Sequence, residues 1–125
     1  MEVKTSTKEK FHVITVESSH LSANMTEDLC RQTVEYLSHD IKNIVLRLPT
    51  VKSMEEEGAE CLVKTQQRFY ESGASFVVCE LSPELENFLD EKNLLELMNV
   101  TPTESEAWDI VQMEEIEREL LGDED

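Results

Sequence analysis

The sequence predicts an α/β fold with a largely parallel sheet of four to five strands and about four helices. Short runs rich in Val, Ile and Leu alternate along the chain with longer segments whose apolar residues recur at helical spacing. Most of the helical segments open with a recognisable capping signature. At 125 residues, the chain is long enough for one domain that buries roughly two-thirds of its unfolded surface.

The strands are predicted from composition and bounded length. Three segments are strongly apolar, and two weaker ones flank them. The first weak strand can pair with the segment after it through a short turn near Lys8 to Lys10. The predicted strands are Val3 to Thr7, Phe11 to Glu17, Asn43 to Leu48, Ser75 to Leu81 and a short one near Leu97 to Thr101.

The helices are predicted from their start signals. The second should end at Gly73, because glycine readily adopts the left-handed conformation that closes a helix. The fourth should run to about Leu120. The predicted starts are Asn24 with Glu27, Ser53 with Glu56, Ser82 followed by Pro83 at the first helical position, and Thr103 with Glu106.

The charge of the chain excludes two classes of partner. A formal net charge of -17 argues against nucleic-acid binding, which needs clustered Lys and Arg to neutralise phosphates. The same charge disfavours an anionic membrane surface. From Glu104 to Asp125 there are ten acidic residues and one basic residue, so much of the acidity belongs to the C-terminal segment.

The three cysteines, Cys30, Cys61 and Cys79, have no paired spacing and lie in regularly patterned segments. They indicate a reduced, cytoplasmic compartment. No apolar run approaches the roughly 20 residues that span a bilayer, so direct membrane insertion is not expected. His12, His20 and His39 share no ligand spacing, and neither a metal site nor a cofactor site is predicted.

Several short sequence segments resemble the STAS domain, the fold of bacterial anti-sigma factor antagonists and of a domain appended to sulfate transporters. The resemblance covers about residues 10–111 and implies a single domain over residues 1–121, followed by an acidic tail at 122–125. The resemblance rests on six segments: Asn43 to Leu48, Val51 to Gly58, Phe76 to Cys79, Leu81 to Leu85, Asn93 to Leu97 and Thr103 to Ala107.

The resemblance places a regulatory switch at the start of the second helix. The family motif there is Asp-Ser-Ser-Gly, and its second serine is phosphorylated by a partner kinase. Glu55, Glu56, Glu57 and Gly58 stand at those four positions, so Glu57 occupies the phosphosite and cannot be phosphorylated. Arg47 stands where the family usually has an acid, and we expect it to hold the glutamate turn.

By resemblance, two segments are expected to bind the partner. The first, called the switch segment below, comprises Ser53, Met54, Glu55, Glu56, Glu57, Gly58 and Cys61. The second, called the neighbouring loop, comprises Ser18, Ser19 and His20. Glutamates in the first turn of a helix also stabilise its dipole, so the glutamate run can be explained without any partner. Ser18, Ser19 and Ser53 are alternative phosphate acceptors, although a helix cap explains Ser53 more simply.

The C-terminal helix offers a second interaction surface. Met113, Ile116 and Leu120 recur at helical spacing among glutamates. Either this face covers the domain's own core or a symmetry mate, or it binds a dedicated partner. The first explanation is favoured.

The sequence contains no credible catalytic set, so we expect a non-enzymatic regulatory module similar to anti-sigma factor antagonists. Its partner would be an anti-sigma factor, a serine kinase or another regulator, and a homodimer is also compatible. Two alternatives stay open: a soluble STAS subunit of a membrane lipid-transport complex, and a sensor of nucleotides or other small ligands. The absence of a glycine-rich phosphate loop counts against the sensor.

Overall fold

The computed structural model describes residues 1–122 and shows a mixed α/β architecture. In this part of the chain, five strands form the main sheet and two very short strands pair beside it. In chain order the strands are β1 (Glu2–Thr7), β2 (Phe11–Glu17), β3 (His20–Leu21), β4 (Asn43–Arg47), β5 (Ser53–Met54), β6 (Phe76–Cys79) and β7 (Val100–Thr101).

The main sheet has the order β1-β2-β4-β6-β7. β1 is antiparallel to β2, and every other neighbouring pair is parallel. β2 and β4 are in register from Phe11 opposite Asn43 to Thr15 opposite Arg47. The predicted strands and the largely parallel sheet are therefore confirmed, with ends that differ by at most two residues except in β7, which begins at Val100, three residues after the predicted Leu97.

Within residues 1–122, three helices connect strands, α1 (Ala23–Val34), α2 (Glu56–Glu71) and α3 (Pro83–Glu91), and a fourth, α4 (Glu104–Gly122), follows β7. Short 3₁₀ turns at Glu35–Ser38 and Leu95–Leu97 complete two of the connections. α2 ends as predicted before Gly73, whose φ of +75° is open to glycine at little steric cost.

The start signals of α3 and α4 were predicted correctly, because these caps form between residues close in sequence. The Ser82 hydroxyl accepts a hydrogen bond from the Leu85 N–H, and the Thr103 hydroxyl accepts one from the Glu106 N–H, both at 3.2 Å. The start predicted for α1 was wrong. Ser22 has the extended backbone of a cap and accepts from the Met25 N–H at 3.2 Å, so Asn24 lies inside the helix.

Both faces of the sheet are buried, which explains why its central strands are apolar throughout rather than alternating. Side chains of α1, α2 and α3 pack on one face, where the rings of Phe69 and Phe76 lie 5.2 Å apart. On the opposite face, α4 contributes Ala107 and Val111 to a smaller cluster. Its other buried members are Phe11, Val13, Val45, Val77 and Cys79.

Polar contacts also anchor α4 to the ends of the strands. The Glu114 carboxylate accepts hydrogen bonds from the Ser75 hydroxyl at 2.5 Å and from the Asn99 amide at 3.0 Å. Glu115 accepts one from the Asn43 amide at 2.7 Å. Polar contacts thus hold α4 to the domain at positions that follow its buried apolar residues in sequence. Truncation after Gln112 would remove these polar contacts together with Met113, Ile116 and Leu120.

The first half of the favoured prediction, that Met113, Ile116 and Leu120 cover the domain's own core, is wrong, while the other half, that they cover a symmetry mate, stays a prediction. Their exposed fractions are 56%, 57% and 65%. Core contact on α4 is made instead by Ala107 and Val111, which lie on another side of the helix. Gly122, assigned above to the acidic tail, belongs to α4. The remainder of that predicted tail, residues 123–125, lies outside the described residues.

Candidate functional site

The structure brings the switch segment and the neighbouring loop together in a small parallel ladder. β3 pairs with β5, so that His20 lies opposite Ser53 and Leu21 opposite Met54. The Ser19 carbonyl accepts the Lys52 N–H at 2.8 Å, and the Leu21 carbonyl accepts the Glu55 N–H at 3.0 Å. Two segments that are more than 30 residues apart in sequence therefore form one continuous surface, called the docking surface below.

Side chains reinforce this ladder at its exposed edge. A hydrogen bond of 2.7 Å joins the His20 Nδ1 atom to the Ser53 hydroxyl. The Ser18 hydroxyl donates to the His20 carbonyl at 2.7 Å, and the Ser18 N–H donates to the Thr50 hydroxyl at 3.1 Å. Thr50 was not predicted as part of this site, since only its position across the ladder connects it to Ser18.

The prediction that Ser53 caps α2 was wrong. Ser53 is held in β5 by its pairing with the neighbouring loop, and Glu55 takes the N-cap position without a side-chain cap bond. The hydroxyl of Ser53 is exposed and bonded to His20 instead. Its presence beside Glu55, Glu56 and Glu57, called the switch turn below, is therefore not explained by helix capping.

The three glutamates of the turn have different surroundings. The Glu55 carboxylate accepts a hydrogen bond from the Ala23 N–H, the first of α1, at 2.7 Å. Glu56 forms an exposed ion pair with Lys92 at 3.3 Å. Glu57 is exposed, and among residues 1–122 its carboxylate forms no ion pair or hydrogen bond with another side chain. Glu57 is therefore the glutamate most available to a partner.

Gly58 has a packing role that its place in the motif did not reveal. A Cβ atom added at Gly58 would lie 2.7 Å from the Thr26 hydroxyl oxygen and 2.8 Å from the Thr26 Cβ. Thr26 is fully buried in α1, so little room exists for it to move away. The absent side chain lets α2 approach α1 closely just behind the docking surface.

Two further residues of the predicted switch segment are not fully exposed. Met54 is buried in the core, and Cys61 is half-buried. Cys61 faces a groove of about 370 Å³ between α1 and α2, together with Cys30, Lys64 and Arg68. The exposed residues of the two segments are therefore Ser19, His20, Ser53 and the three glutamates.

The expectation that Arg47 holds the glutamate turn was wrong. Its guanidinium forms a two-pronged hydrogen-bonded pair with Glu80, donates to the Thr15 hydroxyl at 3.2 Å and lies 3.7 Å from a carboxylate oxygen of Glu104. Hydrogen bonding to Glu80 raises the pKa of Arg47 above its ordinary value. Arg47 lies at the end of β4 next to β6, so its register directs it to Glu80 instead of Glu55–Glu57.

The cysteines are free thiols in this structure. Burial raises the pKa of Cys30 to about 11 and that of Cys79 to about 12, which keeps both thiols protonated at neutral pH. Across the described chain, no three His, Cys, Asp or Glu side chains are grouped so that they could hold a metal ion. No helix within residues 1–122 is long and apolar enough to cross a membrane.

Comparison with protein families decides the membership of the chain. The profile of the STAS domain matches residues 3–107, which is most of the sequence. The chain belongs to the STAS family. The match begins earlier and ends earlier than the span of about 10–111 expected from the residues. No curated protein sequence matches the chain significantly.

Solved structures agree on the STAS fold. A STAS-domain anti-sigma factor antagonist from Planctomyces limnophilus is 18% identical, with a TM-score of 0.73 over 88% of this chain and 97% of that one. RsbS from Moorella thermoacetica with a serine-to-glutamate substitution is 15% identical, with a TM-score of 0.71 over 90% and 96%.

A membrane protein carries the same fold as one of its parts. The murine anion transporter Slc26a9 is 15% identical and gives a TM-score of 0.66 over 83% of this chain, but the match spans only 18% of the transporter. At these identities the likeness to all three structures establishes the fold, and the sites have to be argued from this chain's own residues.

Proposed function

We propose that this STAS protein is a non-enzymatic regulatory module that binds a protein partner through the docking surface, in the manner of an anti-sigma factor antagonist. The partner would be an anti-sigma factor or serine kinase of the class that such antagonists engage. The observation that carries the proposal is the β3–β5 ladder, which joins the two segments expected to contact a partner. The anti-sigma factor antagonist of the same fold from Planctomyces limnophilus supports the choice of partner class.

The ladder gives the docking surface a defined shape. Its backbone hydrogen bonds, the His20–Ser53 bond and the Glu55–Ala23 bond connect the neighbouring loop, the switch turn and the start of α1. A surface held in one arrangement loses less conformational entropy when a partner binds. The geometry therefore favours recognition by a preformed surface.

Glu57 gives this surface a permanent negative charge. A phosphoserine carries nearly two negative charges and three acceptor oxygens, whereas a glutamate carries one charge and two oxygens. Because Glu57 cannot be esterified by a kinase, its charge does not depend on phosphorylation. We propose that the partner recognises this fixed charge, so that binding is constitutive at this position. The RsbS variant supports the view that the STAS fold accepts glutamate in place of a serine.

The alternative explanation concerns the helix alone. Glu56 and Glu57 lie in the first turn of α2, where each is expected to stabilise the helix by about 0.3–1 kcal/mol through its dipole. Under this alternative, replacing Glu57 lowers stability slightly and leaves partner binding unchanged. The two explanations therefore predict different partner affinities for a Glu57 variant, as well as different stabilities.

Affinity capture tests the proposed class of function. The tagged chain is used to capture proteins from its native cell lysate, which are identified by mass spectrometry, with Glu57→Lys as the comparison. Capture of a kinase-like anti-sigma factor by the wild type and its loss with the variant would support the proposal. Capture of an ATP-binding subunit and a permease would instead assign the chain to a lipid-transport complex.

A charge-matched control removes a general effect of net charge. Glu71 lies at the opposite end of α2 and is also exposed. Glu71→Lys changes the net charge by the same amount as Glu57→Lys, but away from the docking surface. Equal loss of the partner with both variants would contradict recognition at the switch turn.

A further inference from the structure

We propose that the outer face of α4 is a second docking site, which accepts a basic amphipathic helix of a protein partner. This face, called the α4 stripe, consists of Met113, Ile116 and Leu120. It is separate from the docking surface and from the function proposed there.

The α4 stripe is continuous and faces away from the domain. Residues three, four and seven positions apart on a helix share one side, so the three side chains lie in a row about 10 Å long. Each is more than half exposed, while Ala107 and Val111 on the other side are fully buried. Single exposed apolar residues are common on protein surfaces, but a row of three unpartnered ones on one face indicates a contact site.

The rims of the stripe are acidic. The exposed residues Glu117 and Glu119 flank it, and the exposed residues Glu106 and Asp109 precede it on the same side of the helix. In the described part of the chain, none of these four carboxylates forms an ion pair. The half-buried carboxylates of α4, in contrast, are engaged by the domain: those of Glu104, Glu114 and Glu115.

The one basic residue of α4 does not offset this charge. Arg118 is half-buried, and its guanidinium donates to the Ser75 hydroxyl at 3.2 Å on the domain side of the helix. The outer side of the described helix therefore combines an apolar row with acidic rims and has no cation of its own.

The negative charge of the rims indicates which kind of partner can bind the α4 stripe. A second copy of the chain would place acidic rims against acidic rims, which disfavours self-association through this face. An anionic lipid surface would be repelled for the same reason. A helix with an apolar row and flanking Lys or Arg side chains matches both features, because it can pack beside α4 at the usual 8–10 Å and place its cations over the rims.

A synthetic peptide probe tests the proposal on the full chain. The probe is an amphipathic helical peptide with leucines on one face and lysines on the other, and its counterpart carries glutamates in place of the lysines. Binding is measured by calorimetry for the wild type and for the triple variant Met113→Gln, Ile116→Gln and Leu120→Gln. We expect the lysine peptide to bind the wild type and the triple variant to weaken its affinity by about tenfold or more.

Further variants separate the apolar and electrostatic contributions. Asp109→Asn with Glu117→Gln should weaken the affinity several-fold and reduce its dependence on salt. Tyr70→Ser removes another exposed apolar side chain, at the far end of α2, and should leave the affinity unchanged. The altered side chains are exposed, so thermal unfolding should confirm that every variant folds.

Four results would overturn the proposal: equal affinity of the wild type and the triple variant, equal binding of both peptides, a wild-type dimer in sedimentation that the triple variant loses, or binding to phosphatidylcholine vesicles that depends on the stripe. Glu57→Lys should change the affinity for the lysine peptide less than twofold. Failure at the α4 stripe and failure at the docking surface are therefore distinguishable.

Discussion

The Glu55 carboxylate and the Ala23 backbone N–H form a 2.7 Å hydrogen bond that connects the starts of two helices. Glu55 is the N-cap residue of α2, and Ala23 is the first residue of α1. Both helix starts present unpaired N–H groups and a positive dipole end, so one carboxylate between them is favourable. This bond aligns α1 with the switch turn and supports the docking surface between them.

Gly58→Ala should destabilise the protein by up to about 2 kcal/mol, because the cost of overpacking exceeds the gain in helix propensity. Alanine is the better helix former by about 1 kcal/mol, but its Cβ would lie 2.7 Å from the hydroxyl oxygen of buried Thr26, and overpacking of this kind costs about 1–3 kcal/mol. Chemical denaturation measures the change. Gly122→Ala is the control, because its Cβ would meet no neighbouring atom. A Gly58→Ala protein more stable than the wild type by about 1 kcal/mol, the gain in helix propensity alone, would show that α1 and α2 are not packed this closely.

Arg47→Ala should lower stability by about 1 kcal/mol and leave partner affinity unchanged. The substitution removes the pair with Glu80 and the hydrogen bond to Thr15, but the site is partly exposed, so solvent limits the loss. Chemical denaturation and calorimetry with the captured partner provide the two readouts. If the variant has normal stability but does not bind the partner, Arg47 contacts the partner at the docking surface, contrary to its observed contacts.

Glu114→Ala should destabilise the protein by about 1–3 kcal/mol, because the Ser75 hydroxyl and the Asn99 amide lose a charged acceptor. Glu117→Ala removes an exposed carboxylate from the same helix and should change stability by no more than about 0.5 kcal/mol. Thermal and denaturant unfolding compare the two variants. Equal effects would mean that α4 is not anchored by its carboxylates.

Alkaline pH should destabilise the protein in part through its buried thiols. The pKa values of Cys30 and Cys79 are raised from 9.0 to about 11 and about 12, so the folded state holds these protons more tightly than the unfolded state. The part of the free energy of unfolding that depends on these protonated thiols is fully present below pH 9. It is lost as the pH rises through the folded pKa values, by at most about 1.4 kcal/mol per pH unit for each thiol.

Comparison with the Cys30→Ala, Cys79→Ala double variant isolates this effect, since the other titrating groups are shared. Between pH 9 and 11, the stability of the wild type should fall more steeply than that of the variant. Parallel curves would contradict the raised pKa values.

Local signals predicted most of the fold. Strand composition located the main sheet, and the Ser82 and Thr103 caps were correct because each involves residues three apart. The β3–β5 ladder could not be predicted, because strands of two residues have no recognisable periodicity. Its pairing also displaced the expected Ser53 cap. For the same reason, the residues of the docking surface could be proposed one segment at a time, while their contact required the three-dimensional structure.

Contacts between residues far apart in sequence were the second feature that could not be predicted from the sequence. Arg47 was assigned to the glutamate turn from its place in the chain, but strand register puts Glu80 within its reach. The periodicity of Met113, Ile116 and Leu120 was read correctly as a face of a helix. Only the packing of α4 shows that this face points outward, because a helix with apolar residues on two sides does not reveal which side meets the sheet.

The most direct test of the docking surface is the affinity of the captured partner for purified variants, measured by calorimetry. Glu57→Lys and Ser19→Arg change the two segments that the ladder joins, and Glu71→Lys is the charge-matched control. Both docking-surface variants should weaken binding by tenfold or more, about 1.4 kcal/mol, while the control binds normally. Unchanged affinity in both would contradict partner binding at the docking surface, and the glutamates would then serve only to stabilise the start of α2.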